Sequence, residues 1–212
     1  MDRDDNEGNQ EVSKISLTPG SLTEYFRDGL SDAASKQKTD LDDQTREYLV
    51  QLLTTFSDRG ALYTENLDDL MDEPIGVQVL KAMQAPPSKR FQMMRQVGDY
   101  SLYVTGFFAD SITRSMNDEK YYIDLGAGAY QNAARSLVRG GEDNPFRKLL
   151  TDLSGRFVQF VDLLNDVSER CFNREVDVLR LCDRFSATGS PRVAARLAQM
   201  GVAVGACRPL AH

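Results

Sequence analysis

Phe146, Leu150, Leu153, Phe157, Phe160, Leu164, Val167 and Cys171 follow one another at spacings of four and three residues without a slip. With 3.6 residues per turn, only a helix returns every third and fourth side chain to one stripe. Asn144-Pro145 precedes the run: an N-cap oxygen, then a proline whose missing N–H costs nothing at the first helical position. The spacing therefore predicts one helix of about seven turns, from Pro145 to about Arg170. Leu149, Val158, Val161 and Leu163 widen its apolar face beyond a two-stranded seam, so burial inside a bundle is expected.

The rest of the chain reads as helix too. Residues 1–15 are polar and acidic without periodicity and are expected to form a disordered tail. Ser21 and Glu24 have the spacing of a capping box and open a helix to about Lys36, with Leu22, Tyr25, Phe26, Gly29, Leu30 and Ala33 inward. A second helix, about Leu41 to Asp58, turns Tyr48, Leu49, Leu52, Leu53 and Phe56 inward. A short element is expected at Asn66–Met71, then helix from Pro74 to Met83, ended by Pro86-Pro87. Further helices are expected from Ser88 to Ser115, from Asn117 or Asp118 to Gly140, from Glu175 to Ala187, and from Pro191 to Gly201. No strand-like alternation and no long repeat appears. The expected fold is all-α: one helical bundle of seven to nine helices over 16–201, with an irregular tail at 202–212.

Charge is unevenly spread. Residues 1–80 hold 18 acidic and 7 basic side chains, residues 81–169 hold 11 of each, and residues 170–212 hold seven arginines against three acids. An acidic front and a basic back should attract each other, within a chain or between chains. Cys171, Cys182 and Cys207 are odd in number and lack metal-type spacing, so reduced thiols are expected. The acidic start does not resemble a secretory leader. The most apolar stretch, Tyr100 to Ala109, is half the length of a spanning helix and is flanked by Asp99 and Asp110. A cytoplasmic protein without a membrane span is the expectation.

The single histidine, His212, excludes more than any motif admits. Di-iron bundles with Glu-x-x-His pairs, zinc hydrolases with clustered histidines and imidazole-based nucleophilic catalysis all need more. No metal and no cofactor is therefore expected. Ser35-Lys-Gln-Lys38 and Gly140-Gly-Glu-Asp143 lack the companion motifs their chemistry needs. Gly126-Ala-Gly128 follows no strand and sits within the stripe Tyr122, Leu125, Ala129, Ala133, Leu137, which reads as helix packing. Arg170, Arg174, Arg180, Arg184, Arg192, Arg196 and Arg208 suggest a nucleic-acid surface, but the acidic pI and the lack of interleaved aromatics argue against that partner.

The helix from Ser88 carries Gly98 and Gly106 among large aromatics, and the next helix carries Gly126 and Gly128 among alanines. A glycine inside a helix costs about 1 kcal/mol relative to alanine, so close backbone approach is expected between the two. The rim of tyrosines and carboxylates suggests an alternative use. Asp99, Tyr100, Tyr103, Tyr121, Tyr122 and Asp124 would line a pocket for a small apolar ligand, with Asp and Tyr available for acid–base chemistry. Arg95, one turn before Asp99, is the local ion-pair partner.

The segments Val97-Gly-Asp-Tyr-Ser-Leu-Tyr-Val-Thr-Gly-Phe-Phe108, Tyr121-Tyr-Ile-Asp-Leu-Gly126 and Ala129-Tyr130 resemble a family of bacterial proteins of similar length without an established activity. The resemblance extends over most of residues 20–200, including Tyr48-Leu-Val-Gln-Leu-Leu53 and Thr188-Gly189-Ser190. It implies a bacterial cytosolic origin and carries over no catalytic residue, cofactor or substrate. The expected function is a non-enzymatic interaction or adaptor protein that pairs with itself or with another protein.

Overall fold

Tyr100 to Phe107 are buried without interruption, on every side of their helix. A helix buried all round has to be the centre of its fold. In the computed structural model, which describes residues 19–58, 74–107, 116–137, 144–172 and 178–203, that helix is α4 (Pro87–Phe107). Around it stand α1 (Pro19–Gln37), α2 (Asp43–Asp58), α3 (Ile75–Gln84), α5 (Met116–Ser136), α6 (Pro145–Gly155) and α7 (Phe157–Phe172). The chain continues with α8 (Val178–Thr188) and α9 (Pro191–Gln199). These nine helices, with no strand among the described residues, form the expected all-α bundle. Helix α4 packs against α2, α3, α5 and α7, while α1 packs on α2 and α7. The elements expected at 66–71 and 108–115, the tail at 1–15, the Ser21 side chain and residues 204–212 lie outside the described residues.

Where the sequence predicts one helix over 145–170, there are two. The break falls at Arg156, which leaves the helical region at φ −113° and ψ 23°. Gly155 before it has no side-chain contact to hold the turn, with open space at its Cβ position. The Arg156 guanidinium is held three ways: Nη1 donates to Asp152 at 2.9 Å, Nε to Gln159 at 2.8 Å and Nη2 to the Asp40 carbonyl at 2.8 Å. The two halves also serve different neighbours, α6 packing on α5 and α7 on α1 and α4. The stripe nevertheless runs through the break. Leu150, Leu153, Phe157, Phe160, Leu164 and Val167 are all buried, and each such side chain stabilises by about 1.5–3 kcal/mol. Asn144 caps α6 as expected, its Oδ1 accepting from the backbone N–H of Phe146 at 2.9 Å.

At the C-terminus of α1 the chain turns through Lys38 in the left-handed region, φ +52°. The Thr39 N–H donates to the Ala34 carbonyl and the Lys38 N–H to the Ser35 carbonyl, the two bonds of a Schellman cap. Glycine is at ease at that position and lysine is not. Lys38→Gly is expected to raise stability by about 0.5–1 kcal/mol, net of the added freedom of the unfolded chain. A melting temperature that falls in this variant would contradict the cap reading.

Helices α8 and α9 have a small core of their own. Leu181, Val193 and Leu197 are buried together, with Val178, Cys182, Phe185 and Val202 half-buried around them. Ser190 caps α9 through Val193 N–H at 3.4 Å, and Gly189 makes the turn at φ +63°. The expectation of reduced cysteines fails here: Cys171 is a free thiol, but Cys182 is disulfide-bonded.

Candidate functional site

Asp99 sits on α4 at the point where α2, α4 and α5 meet. Its Oδ1 accepts a short hydrogen bond from the Tyr48 hydroxyl of α2 and another, 2.8 Å long, from the Tyr130 hydroxyl of α5. Arg95 Nε lies 3.8 Å from Oδ2, a looser contact than the local pairing expected from the sequence. Burial raises the Asp99 carboxyl above the ordinary range, countered in part by the two tyrosine donors and by Arg95. Burial beside that carboxylate likewise pushes the Tyr48 and Tyr130 hydroxyls upward, so both remain donors. The result is a polar knot tying three helices together.

The six residues proposed to line a pocket divide between interior and surface. Asp99, Tyr100 and Tyr103 are interior on α4. Tyr103 stacks between Phe56 (4.6 Å between centroids) and Phe107 (5.4 Å), and Tyr100 tilts against Tyr122 at 6.3 Å. Tyr121 is 49% exposed, and Asp124 is exposed and paired with Lys120 at 2.9 Å. Tyr48 and Tyr130, not Tyr121 or Asp124, complete the Asp99 group. The signal for Tyr48 was its place in an inward stripe: a buried phenol needs an acceptor, and α4 offers one carboxylate at that level.

Nor do the glycines leave room for a ligand. A Cβ at Gly98 would stand 2.6 Å from the Tyr130 ring, at Gly106 2.7 Å from Leu164 Cβ, and at Gly126 2.5 Å from Ser101 Cβ. At Gly98 and Gly126 the vacated space is filled across the α4–α5 contact, the close approach the sequence predicts; at Gly106 it is filled by Leu164 of α7, and at Gly128 nothing lies within 4 Å. A large open cleft, about 1250 Å³, lies elsewhere. Its walls are the end of α1, the α6–α7 break, the outer face of α7 and the start of α9.

That outer face of α7 carries Asp162, Asp166 and Glu169, spaced to share one side of the helix. Arginines of α8 and α9 meet them in turn. Arg184 Nη2 donates to Asp162 at 3.0 Å, with Glu119 of α5 3.9 Å from its Nε; all three side chains are buried. Arg192 binds Asp166 and donates to the Asp162 carbonyl at 3.0 Å, while Arg196 Nη1 donates to both Glu169 oxygens at 3.1 and 3.0 Å. Ser190 Oγ closes on the second Asp162 oxygen. Arg170, which lies over the Tyr25 ring, pairs with Asp32 at 2.5 Å. Arginines that suggested a nucleic-acid surface are thus engaged by the protein's own carboxylates; the side chains of Arg174, Arg180 and Arg208 lie outside the described residues.

Among the described residues no group of three or more His, Cys, Asp or Glu is placed to hold a metal ion, and no helix is long and apolar enough to cross a membrane. Among the described residues, three of the exposed large apolar side chains gather on α3. Val77, Leu80 and Met83 are 40%, 61% and 55% exposed along one side of a ten-residue helix. Tyr121 extends the patch at its N-terminal end, its hydroxyl 3.0 Å from where a Gly76 Cβ would stand. Comparison with protein-family models, with curated proteins and with solved structures finds no match to this chain.

Proposed function

We propose that this is a non-enzymatic interaction protein of the bacterial cytosol, and that it associates with a second copy of itself through the open face of α3. The observation that carries the reading is the Val77–Leu80–Met83 stripe with Tyr121 beside it. Single exposed apolar side chains are ordinary, but four on one patch mark an interaction surface. The stripe suits a two-fold pairing. In an antiparallel arrangement Val77 of one copy lies against Met83 of the other, with Leu80 at the axis, so apolar meets apolar by symmetry. Lys81 is the only charged residue of α3, so few charges lose water when the face is covered.

Four side chains per copy give an interface below about 1,200 Å² in total, the size of weak and transient contacts. A concentration-dependent dimer is therefore expected, not an obligate one. Sedimentation velocity across a range of loading concentrations should show it. The double change Leu80→Glu and Met83→Glu should hold the chain monomeric, with unchanged helical circular dichroism and melting temperature. A wild-type chain that stays monomeric at every concentration would remove the support for this reading.

The disulfide at Cys182 bears on the compartment. In a cytosolic protein such a bond is usually transient and serves catalysis or redox sensing.

A further inference from the structure

We propose that the open cleft between the end of α1 and the outer face of α7 binds a phosphate-bearing organic molecule, its phosphate held by Lys36 and Lys38. Two features lead there: which charges of the cleft are already engaged, and how the segment bearing the lysines is held. Four arginines line the cleft, and an acid holds each of them. Arg156 meets Asp152 and Arg170 meets Asp32. Arg192 meets Asp166 and Arg196 meets Glu169, while Asp162, also in the lining, is held by Arg184. Among the described residues of the lining, that leaves Lys36 and Lys38, both exposed and without a carboxylate partner, against exposed Asp40 as the free acid.

The lysines do not sit on a free loop. Gln37 between them donates to the Asp162 carbonyl at 3.2 Å and to Asp166 at 3.0 Å. Two residues after Lys38, the Asp40 carbonyl accepts from Arg156 at 2.8 Å. The segment is thereby fixed both to α7 and to the break before it, so its backbone has little freedom left to lose when a ligand arrives. Helix polarity accounts for Lys36, in the last turn of α1. It does not account for Lys38, the one non-glycine with positive φ among the described residues. A lysine kept where glycine is more stable carries a backbone cost, and such costs gather at ligand clamps.

Charge and size select the ligand class. A phosphate monoester carries about 1.5 to 2 negative charges at neutral pH and so matches two ammonium groups, whereas a carboxylate matches one. At about 1250 Å³ the cleft exceeds the roughly 300–1,000 Å³ of ordinary small-molecule pockets, so an organic body fits beside the phosphate. Ile123, Ala127, Phe157 and Val158 give the lining an apolar part for that body.

Isothermal titration of the full chain with phenyl phosphate, in low-salt buffer, tests the proposal. Saturable binding is expected, about tenfold tighter than that of inorganic phosphate, which lacks the organic body, or of benzoate, which lacks the second charge. Lys38→Gly should weaken binding about tenfold while raising the melting temperature, so the lost affinity cannot come from misfolding. Lys36→Gln should weaken it similarly. Lys89→Gln removes one exposed charge from α4 and should leave binding unchanged. The absence of saturable phenyl phosphate binding at millimolar concentration would overturn the proposal. So would full affinity in Lys38→Gly and Lys36→Gln, an equal loss in Lys89→Gln, or benzoate binding as tightly as phenyl phosphate. The chain carrying Leu80→Glu and Met83→Glu should bind phenyl phosphate as the parent does, so the outcome is independent of self-association through α3.

Discussion

Gly126→Ala should lower stability by about 2 kcal/mol, whereas Gly128→Ala, two residues further along the same helix, should raise it by about 1 kcal/mol. Both changes improve the helix propensity of α5 by the same amount. They differ in what the new methyl group meets. At Gly128 there is nothing within 4 Å. At Gly126 the methyl carbon would stand 2.5 Å from Ser101 Cβ and 2.6 Å from Phe157 Cζ. Carbon atoms at rest lie roughly 3.5–4.0 Å apart. Ser101 Cβ is bonded directly to the α4 backbone and cannot swing away, so α4 and α5 must separate. Phe157 is 2% exposed and has no free volume to retreat into. Gly106→Ala should behave like Gly126→Ala, because Leu164 Cβ at 2.7 Å is equally anchored, to α7. Urea unfolding of the three variants gives the answer directly. If Gly126→Ala proves as stable as the parent, α4 and α5 are not in the contact described.

Asp99→Leu is expected to cost about 3 kcal/mol, because it removes the carboxylate that accepts from both buried hydroxyls, those of Tyr48 and Tyr130. Asp99→Asn should cost far less, since its amide oxygen still accepts from both. The pair of variants also separates charge from hydrogen bonding. The Asp99 carboxyl is raised in the folded protein by burial, while in the unfolded chain an aspartate titrates near 3.9. Above about pH 4 the folded state thus binds more protons than the unfolded one, and stability falls as pH rises through the raised value. The contribution is fully present below the unfolded value and is lost above the folded one. Asparagine cannot titrate, so the Asn variant should lack this slope and gain on the parent toward neutral pH. Unfolding free energies measured from pH 4 to pH 7 would show parallel curves for the two proteins if Asp99 were an ordinary surface-like carboxylate.

The candidate residues show where reading along the chain stops being informative. Asp99 could be singled out because a carboxylate inside an apolar helix needs a partner. Arg95 is the partner one turn away, and local spacing could find nothing else. The tyrosines that bind it lie 51 positions earlier and 31 later, on helices brought together by packing alone. Tyr121 and Asp124 share a stretch with Tyr122 and Ile123, but on α5 they turn outward, and only the neighbouring helices decide which side is out. Charge followed the same rule. Summed along the chain, the basic end should meet the acidic front; among the described pairs of its arginines only Arg170 with Asp32 does so. Arg184, Arg192 and Arg196 instead meet acids on α7, in a segment whose charges cancel, because α7 presents its carboxylates on one face.

What the sequence determined by itself was everything periodic. Helical spacing, proline and glycine punctuation and the Asn144 cap are interactions within a few residues, so the order of the helices, their inward stripes and the tight α4–α5 approach at Gly98 and Gly126 could be read directly. Tertiary structure decided the rest. It broke the longest stripe at Arg156, where a guanidinium reaches back to Asp40 and two neighbours want different directions. It chose Tyr48 and Tyr130 for Asp99, closed the space beside the glycines, and left the α3 stripe uncovered. These depend on which surfaces end up facing each other, and no local periodicity contains that information.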